Sequence, residues 1–153
     1  MKVDELDTPA VLIDVDLLKV NIEEMAREAA RLGIRLRPHA KTHKSPEIAG
    51  MQLDAGACGV TVAKLTEAEV MAAYGIDDIL VAYPVIGRTK LARLKDLAEK
   101  TKVTVTVDSE TAAQGVAEVG EAIGVPVPVY VEVNTGQNRC GLEPVSAGFK
   151  MTR

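Results

Sequence analysis

Two periods alternate along the chain. Apolar residues at every second position mark strands, and apolar residues three or four apart mark helices. PAVLID (9–14) reads as a strand. Asp16 opens DLLKVNIEEMAREAARLG, where Leu17, Val20, Ile22, Met25, Ala29 and Leu32 recur at helical spacing and Gly33 is placed to end the helix. A second strand follows over 34–41, then a helix over 45–56 with Ser45 as N-cap and Pro46 at its first position. Strands at 58–64, 78–84, 103–109 and 127–133 alternate with helices at 66–75, 87–100 and 109–124. Thr66 with Glu69 reads as a capping box and Ser109 as an N-cap. The loop NTGQNRCG (134–141) follows the last strand, and the last dozen residues begin another helix at most. Six strands and five helices in strict alternation predict an α/β fold with a parallel sheet and right-handed crossovers. No linker, repeat or low-complexity segment divides the chain.

The faces of the strands refine this. Strands buried on both sides read as unbroken apolar runs. Three of these do not. Val103, Val105 and Val107 oppose Thr104, Thr106 and Asp108; Val129, Val131 and Val133 oppose Tyr130, Glu132 and Asn134. Ile34, Leu36, Pro38 and Ala40 oppose Arg35, Arg37, His39 and Lys41. The apolar face can pack on helices, and the polar face suits a barrel lumen with a site at its top. An open sheet with one solvated face is the alternative. A complete eight-fold barrel takes about 250 residues, and this chain has 153. The expectation is an incomplete (β/α) barrel of about six strands, either a smaller open domain or the front part of a longer protein.

Composition changes the picture in three places. The chain is 47% hydrophobic but only 3% aromatic and lacks Trp, so its core is aliphatic. The net charge of −4 argues against a nucleic-acid partner. Met1–Asp7 carries three acids and one lysine, with no long apolar run after it, so a cytoplasmic protein without a membrane partner is expected. Cys58 and Cys140 do not make a disulfide framework.

Against the acidic balance, RLRPHAKTHKSP (35–46) has six Arg, Lys or His residues in twelve. Lys41 ends its strand on the face of Arg37 and His39. An amine crowded by cations has its charged form disfavoured, which suits a Schiff-base nucleophile; an ordinary solvated lysine is the competing reading. His39 and His43 have a spacing that holds metals on helices, but Pro38 and Pro46 oppose a helix here and no third ligand is evident, so no metal site is expected. His39 would orient a neighbour, and His43 would sit in the loop near a bound anion or substrate. Lys64 is expected to pair with a carboxylate, Glu67 following in the helix. Cys140 reads as a structural thiol. The loop 134–141 lacks the phosphate-binding glycine patterns; it either brings Arg139 over the site as an anion or phenolate partner or is a plain turn.

LDTPAVLIDVDLLKVNI, RLRPHAKTHKSPEIA, GVTVAKLTEAEVM, DDILVAYPVIG and VEVNTGQNRCG together resemble the D-threonine aldolase and D-serine dehydratase-like family. These are fold-type III pyridoxal phosphate enzymes, grouped with alanine racemase and its N-terminal TIM-type barrel. The resemblance runs to about Pro144, and R-P-H-x-K-T-H-K is its most specific segment. It implies that Lys41 is the Schiff-base lysine, that Arg139 approaches the cofactor's 3-oxygen, and that Gln137 and His43 belong to the cofactor site. The implied reaction is cleavage of a D-3-hydroxyamino acid to glycine and an aldehyde, with D-serine dehydration or racemisation as alternatives. In the family a C-terminal β domain carries a divalent metal, and later barrel strands bind the cofactor phosphate. Neither is recognisable here, so the resemblance implies an N-terminal part, weak or inactive unless another chain completes it. A non-catalytic domain binding pyridoxal phosphate or another phosphate, or pairing as a homo-oligomer through an open barrel edge, is the reading from a different class.

Overall fold

The computed structural model describes residues 2–144. The helix expected over the last dozen residues lies almost wholly outside them. Four parallel strands, β1 (Val60–Val62), β2 (Asp78–Val81), β3 (Lys102–Val107) and β4 (Val129–Val131), form a sheet in the order β1-β2-β3-β4. Five helices accompany them: α1 (Val15–Arg31), α2 (Pro46–Asp54), α3 (Leu65–Ala73), α4 (Arg88–Ala98) and α5 (Glu110–Ile123).

The alternation expected from the valines is observed. Val60, Val62, Ile79, Val81, Val103, Val105 and Val107 are buried and join Ala68, Met71, Leu94, Leu97, Ala112, Val116 and Val119 in one aliphatic core. The register pairs Thr61 with Leu80, Leu80 with Thr104, and Thr106 with Tyr130, so the intervening residues make the second, more polar face. A continuous parallel sheet with one face on helices and one polar face is the wall of an incomplete barrel.

The six-strand expectation is corrected at two places. Segment 9–14 enters no ladder among the described residues, and Val11, Leu12 and Ile13 are exposed. An apolar run makes a strand only where a partner offers hydrogen bonds. Segment 34–41 is reduced to one bridge, His39 with Thr61. Its bonds are Thr61 N–H to the Pro38 carbonyl (2.7 Å), Ala40 N–H to the Thr61 carbonyl (2.7 Å) and Cys58 N–H to the Leu36 carbonyl (2.9 Å). Three residues on one side therefore oppose two on the other, a bulge at Cys58–Gly59. Pro38 has no N–H to give at that point, which explains the interruption. Likewise β4 is shorter than 127–133, with Pro126 and Pro128 just before it.

The caps agree in part. Ser45 accepts the Ile48 N–H and Ser109 the Ala112 N–H, as expected. The first helix is capped two residues early, by Asp14, which accepts from Asp16 and Leu17. Thr66 does not cap α3, and Glu69 reaches Arg93 of α4 instead. Glu67, at the third helical position, bonds the Ala63 N–H at 2.8 Å. The apolar stripe of α1 is largely uncovered: Leu17, Val20 and Met25 are exposed and only Ala29 is buried.

At the amino-terminal end of β2, Arg37 Nη1 lies 2.7 Å from Asp78, whose other oxygen accepts from Lys102 at 2.8 Å. Burial alone would raise the Asp78 carboxyl; the Arg37 and Lys102 hydrogen bonds and charges outweigh it, so its pKa lies below the ordinary value. A depressed carboxylate stabilises the fold above its unfolded pKa, and that contribution is lost as pH falls through the folded value. Asp78→Asn is expected to cost about 2–3 kcal/mol at pH 7, below the ~3–5 kcal/mol of a fully buried pair, and to flatten the acid limb of stability below about pH 4. Chemical unfolding at pH 7 and pH 3 checks both; an equal loss at the two values would refute the assignment.

Candidate active site at the carboxyl ends of the strands

In a parallel sheet all carboxyl ends lie at one rim, where α/β barrels place their chemistry. Lys41 stands at that rim. Just past the His39–Thr61 bridge the chain turns: Ala40 is buried at 1% exposure, and the Lys44 N–H closes the turn on the Ala40 carbonyl at 2.8 Å. Lys41 is exposed, and its amine has no hydrogen bond or ion pair among the described residues.

The cationic crowding expected from the spacing is not found. Arg37 is turned to Asp78, and Lys44 Nζ sits 2.7 Å from Glu67. Among the described residues the Lys41 amine meets no partner at the apex of the turn. His39 is half-buried and its Nδ1 accepts the Lys41 N–H at 3.3 Å. Burial, and then the Lys41 charge, hold its pKa below the ordinary histidine value, so it is neutral at pH 7 and can accept. His39 thus contacts the backbone of Lys41.

His43 lies at the foot of the turn. Its Nδ1 accepts the Ser45 N–H at 3.1 Å, and burial lowers its pKa, so it too is neutral. Its Nε2 and the Gln52 Oε1 are both buried; the Gln52 side chain interacts with the imidazole and opposes the lowering by burial, although the two atoms make no well-aligned hydrogen bond. Through the Ser45 bond the imidazole supports the turn and the start of α2. Lys64 is exposed and makes no ion pair among the described residues; the expected Lys64–Glu67 pair is replaced by Lys44–Glu67. A cavity of about 360 Å³ at the same rim is lined by Lys64, Leu65, Tyr83 and Lys90 among others. Its Val81 and Val85 walls set it on the helix side of the sheet, apart from the face of His39 and Lys41.

Arg139 and Gln137 are exposed on the loop after β4, at the opposite edge of the sheet but the same rim. The loop is organised around Asn134, which is 9% exposed. Its Nδ2 donates to Asn138 (2.8 Å) and Glu143 (2.6 Å), and its Oδ1 accepts the N–H groups of Gly136 (3.0 Å) and Asn138 (3.1 Å). A Val133–Leu142 bridge closes the base. Cys140 donates to Glu132 at 2.9 Å, which fits a structural thiol. The neighbouring Cys140 side chain holds Arg139 above its ordinary pKa, and the guanidinium is a cation at any physiological pH. Asn134 was not singled out from sequence, and Glu67 was named there only as the carboxylate following Lys64. Asn134 had a signal, an Asx residue two before a glycine; Glu67 had one only as the third residue after a strand-end lysine.

Residues 13–151 match the family described as alanine racemase, N-terminal domain. The chain is 41% identical over 140 residues to D-threonine aldolase of Arthrobacter sp, covering 90% of this chain and 36% of that protein. It is 39% identical over 137 residues to D-threo-3-hydroxyaspartate dehydratase of Delftia sp. (strain HT23), again covering 90% of this chain and 36% of that protein. The crystal structure of D-threonine aldolase from Filomicrobium marinum superposes with a TM-score of 0.90 at 44% identity, over 93% of this chain and 38% of that one. The chain thus spans little more than a third of the relatives it matches.

Proposed function

The chain belongs to the alanine racemase N-terminal domain family, and from that premise we propose that it is the lysine-bearing part of a pyridoxal phosphate enzyme acting on D-3-hydroxyamino acids. The observation that carries this is the Lys41 amine, which has no bonding partner among the described residues at the strand-end rim, while Lys44 in the same turn is paired with Glu67. A primary amine without a competing carboxylate is free to hold an aldehyde cofactor covalently. Arg139, a fixed cation on an ordered loop, suits the cofactor's phenolate oxygen, and Gln137 on the same loop adds a hydrogen-bonding amide. His43 acts from the foot of the Lys41 turn. When bound, pyridoxal phosphate supplies an electron sink for bond breaking at the α-carbon.

Lys41 would hold the cofactor and, once displaced by substrate, offer its Nζ as a base. His39 keeps the Lys41 backbone in place. The substrate class follows from what the relatives' names share: D-threonine, D-threo-3-hydroxyaspartate and 3-hydroxy-D-aspartate are all D-configured with a 3-hydroxyl. Cleavage of the Cα–Cβ bond to glycine and an aldehyde is the reaction we favour. Loss of the 3-hydroxyl is the second reading, supported by the 39% identity to the dehydratase. Among the described residues no three His, Cys, Asp or Glu side chains converge as a metal site, so the divalent metal that accompanies the family would take its ligands from elsewhere.

The test is to incubate the 153-residue chain with pyridoxal phosphate, reduce with borohydride and map the modified peptide. One stoichiometric adduct on Lys41, lost in Lys41→Ala, is expected. Adducts spread over many lysines, or none, would sink the assignment.

A further inference from the structure

We propose that Lys44 and Glu67 form a clamp that sets the place of Lys41, making both positioning residues of the cofactor lysine; this rests on the reading of Lys41 given above. Lys44 has φ +53, the left-handed region that a long side chain seldom adopts. Such a conformation persists where the surroundings over-determine it. Here they do so through the side chain. Lys44 Nζ is 2.7 Å from Glu67 Oε1, and the Glu67 side chain is only 10% exposed. The other carboxylate oxygen accepts the Ala63 N–H at 2.8 Å, just past the end of β1.

The turn is therefore tied to β1 at both ends. Ala40 donates to the Thr61 carbonyl at its start, and Lys44 reaches Ala63 through Glu67 at its finish. Between these ties the Lys41 N–H rests on His39. The backbone of Lys41 is held from three directions while its amine stays free. If residue 44 were only a turn residue, glycine would serve better, because it adopts this φ without steric cost. The clamp requires the opposite result, since glycine cannot reach Glu67.

The experiment compares the wild-type chain with Lys44→Gly, Lys44→Asn, Lys44→Arg and Glu67→Gln. Glycine and asparagine both tolerate the left-handed turn, so one can report if the other fails to fold; neither Lys44 variant touches the Glu67–Ala63 bond. The probe is pyridoxal phosphate at limiting concentration with borohydride trapping and peptide mapping. Alongside it, hydrogen exchange is read at the Lys44 amide without cofactor. Lys44→Gly, Lys44→Asn and Glu67→Gln are expected to slow labelling of Lys41 by about tenfold or more, as a misplaced reacting group does, and to speed exchange at residue 44. Lys44→Arg restores most of both, because its guanidinium still meets the carboxylate. Unchanged or faster labelling of folded Lys44→Gly or Lys44→Asn overturns the clamp. A wild-type chain that is never labelled at Lys41 overturns the reading of the lysine, and the exchange data then show separately whether Lys44 and Glu67 hold the turn.

Discussion

Gly59→Ala is expected to destabilise the fold by about 3–5 kcal/mol, the cost of breaking a buried ion pair or straining a packed backbone. A Cβ at residue 59 would stand 2.1 Å from Arg37 Nη1 and 2.4 Å from the Asp78 carbonyl oxygen. The φ of +148 adds strain of its own. The guanidinium could swing aside, but it would leave its 2.7 Å bond to Asp78 and strand a half-buried carboxylate with Lys102 alone. The Asp78 carbonyl belongs to β2 and cannot retreat without disturbing the Val60–Ile79 pairing. Segment 34–41, held to β1 by three bonds around this bulge, should loosen first. Urea unfolding gives the energy, and hydrogen exchange at Cys58, Thr61 and Ala40 gives the place. In an Arg37→Met background the same substitution should cost clearly less, because the obstructing side chain is shorter and uncharged; such non-additivity marks direct contact. A loss under about 1 kcal/mol, in the range of ordinary surface substitutions, would show that the bulge opens easily and that Gly59 is not needed for Arg37.

The same bulge shows where sequence reasoning stops. Alternation placed Arg37, His39 and Lys41 on one face, and the observed faces of β3 and of the His39 bridge agree. Alternation cannot show what a charge meets. Arg37 finds Asp78 41 residues away, and Lys44 finds Glu67 23 residues away. These two pairings convert a cluster that reads as one cationic patch into two neutralised groups and one unbonded amine. Helix existence was legible because it rests on local spacing, as with the Ser45 and Ser109 caps. Strand existence was less so, because a ladder is a property of two segments: PAVLID has the apolar character of a strand and no partner among the described residues. The stripe of α1 likewise predicts burial that the described residues do not supply. In sequence Glu67 reads as a carboxylate for Lys64, but its partners are Lys44 and the Ala63 N–H, and the capping box assigned to Thr66 and Glu69 lies two residues too late.

Gly141→Ala should separate the two edges of the proposed site. A Cβ there would lie 2.7 Å from both the Asn134 nitrogen and the Val133 carbonyl carbon, and 3.1 Å from the Val133 nitrogen. All three are backbone atoms, so no side chain can yield, and the φ of +95 disfavours alanine regardless of space. The base of the loop must open, which threatens the Asn134 N–H bond to Leu142 (2.9 Å) and the Leu142 N–H bond to Glu132 (2.8 Å). Asn134 then loses the frame in which its side-chain amide and backbone N–H are bonded, and Arg139 and Gln137 move with it. The damage stays local, because the hydrogen bonds at risk all lie within residues 132–143. A stability loss of about 2–3 kcal/mol is expected, in the range of strain at a special backbone position together with lost hydrogen bonds. The functional effect should be on affinity. Pyridoxal phosphate should bind about tenfold or more weakly, the scale of a lost charge-assisted contact, yet at saturation the borohydride adduct should still map to Lys41. Arg139→Gln provides the comparison: the same loss of affinity with the stability of the wild-type chain. If Gly141→Ala weakens stability but leaves cofactor affinity untouched, the loop is a structural closure and Arg139 holds no cofactor. If it moves the adduct away from Lys41, the two edges are coupled through the sheet, and the turn at residues 40–44 is less self-sufficient than its hydrogen bonds indicate.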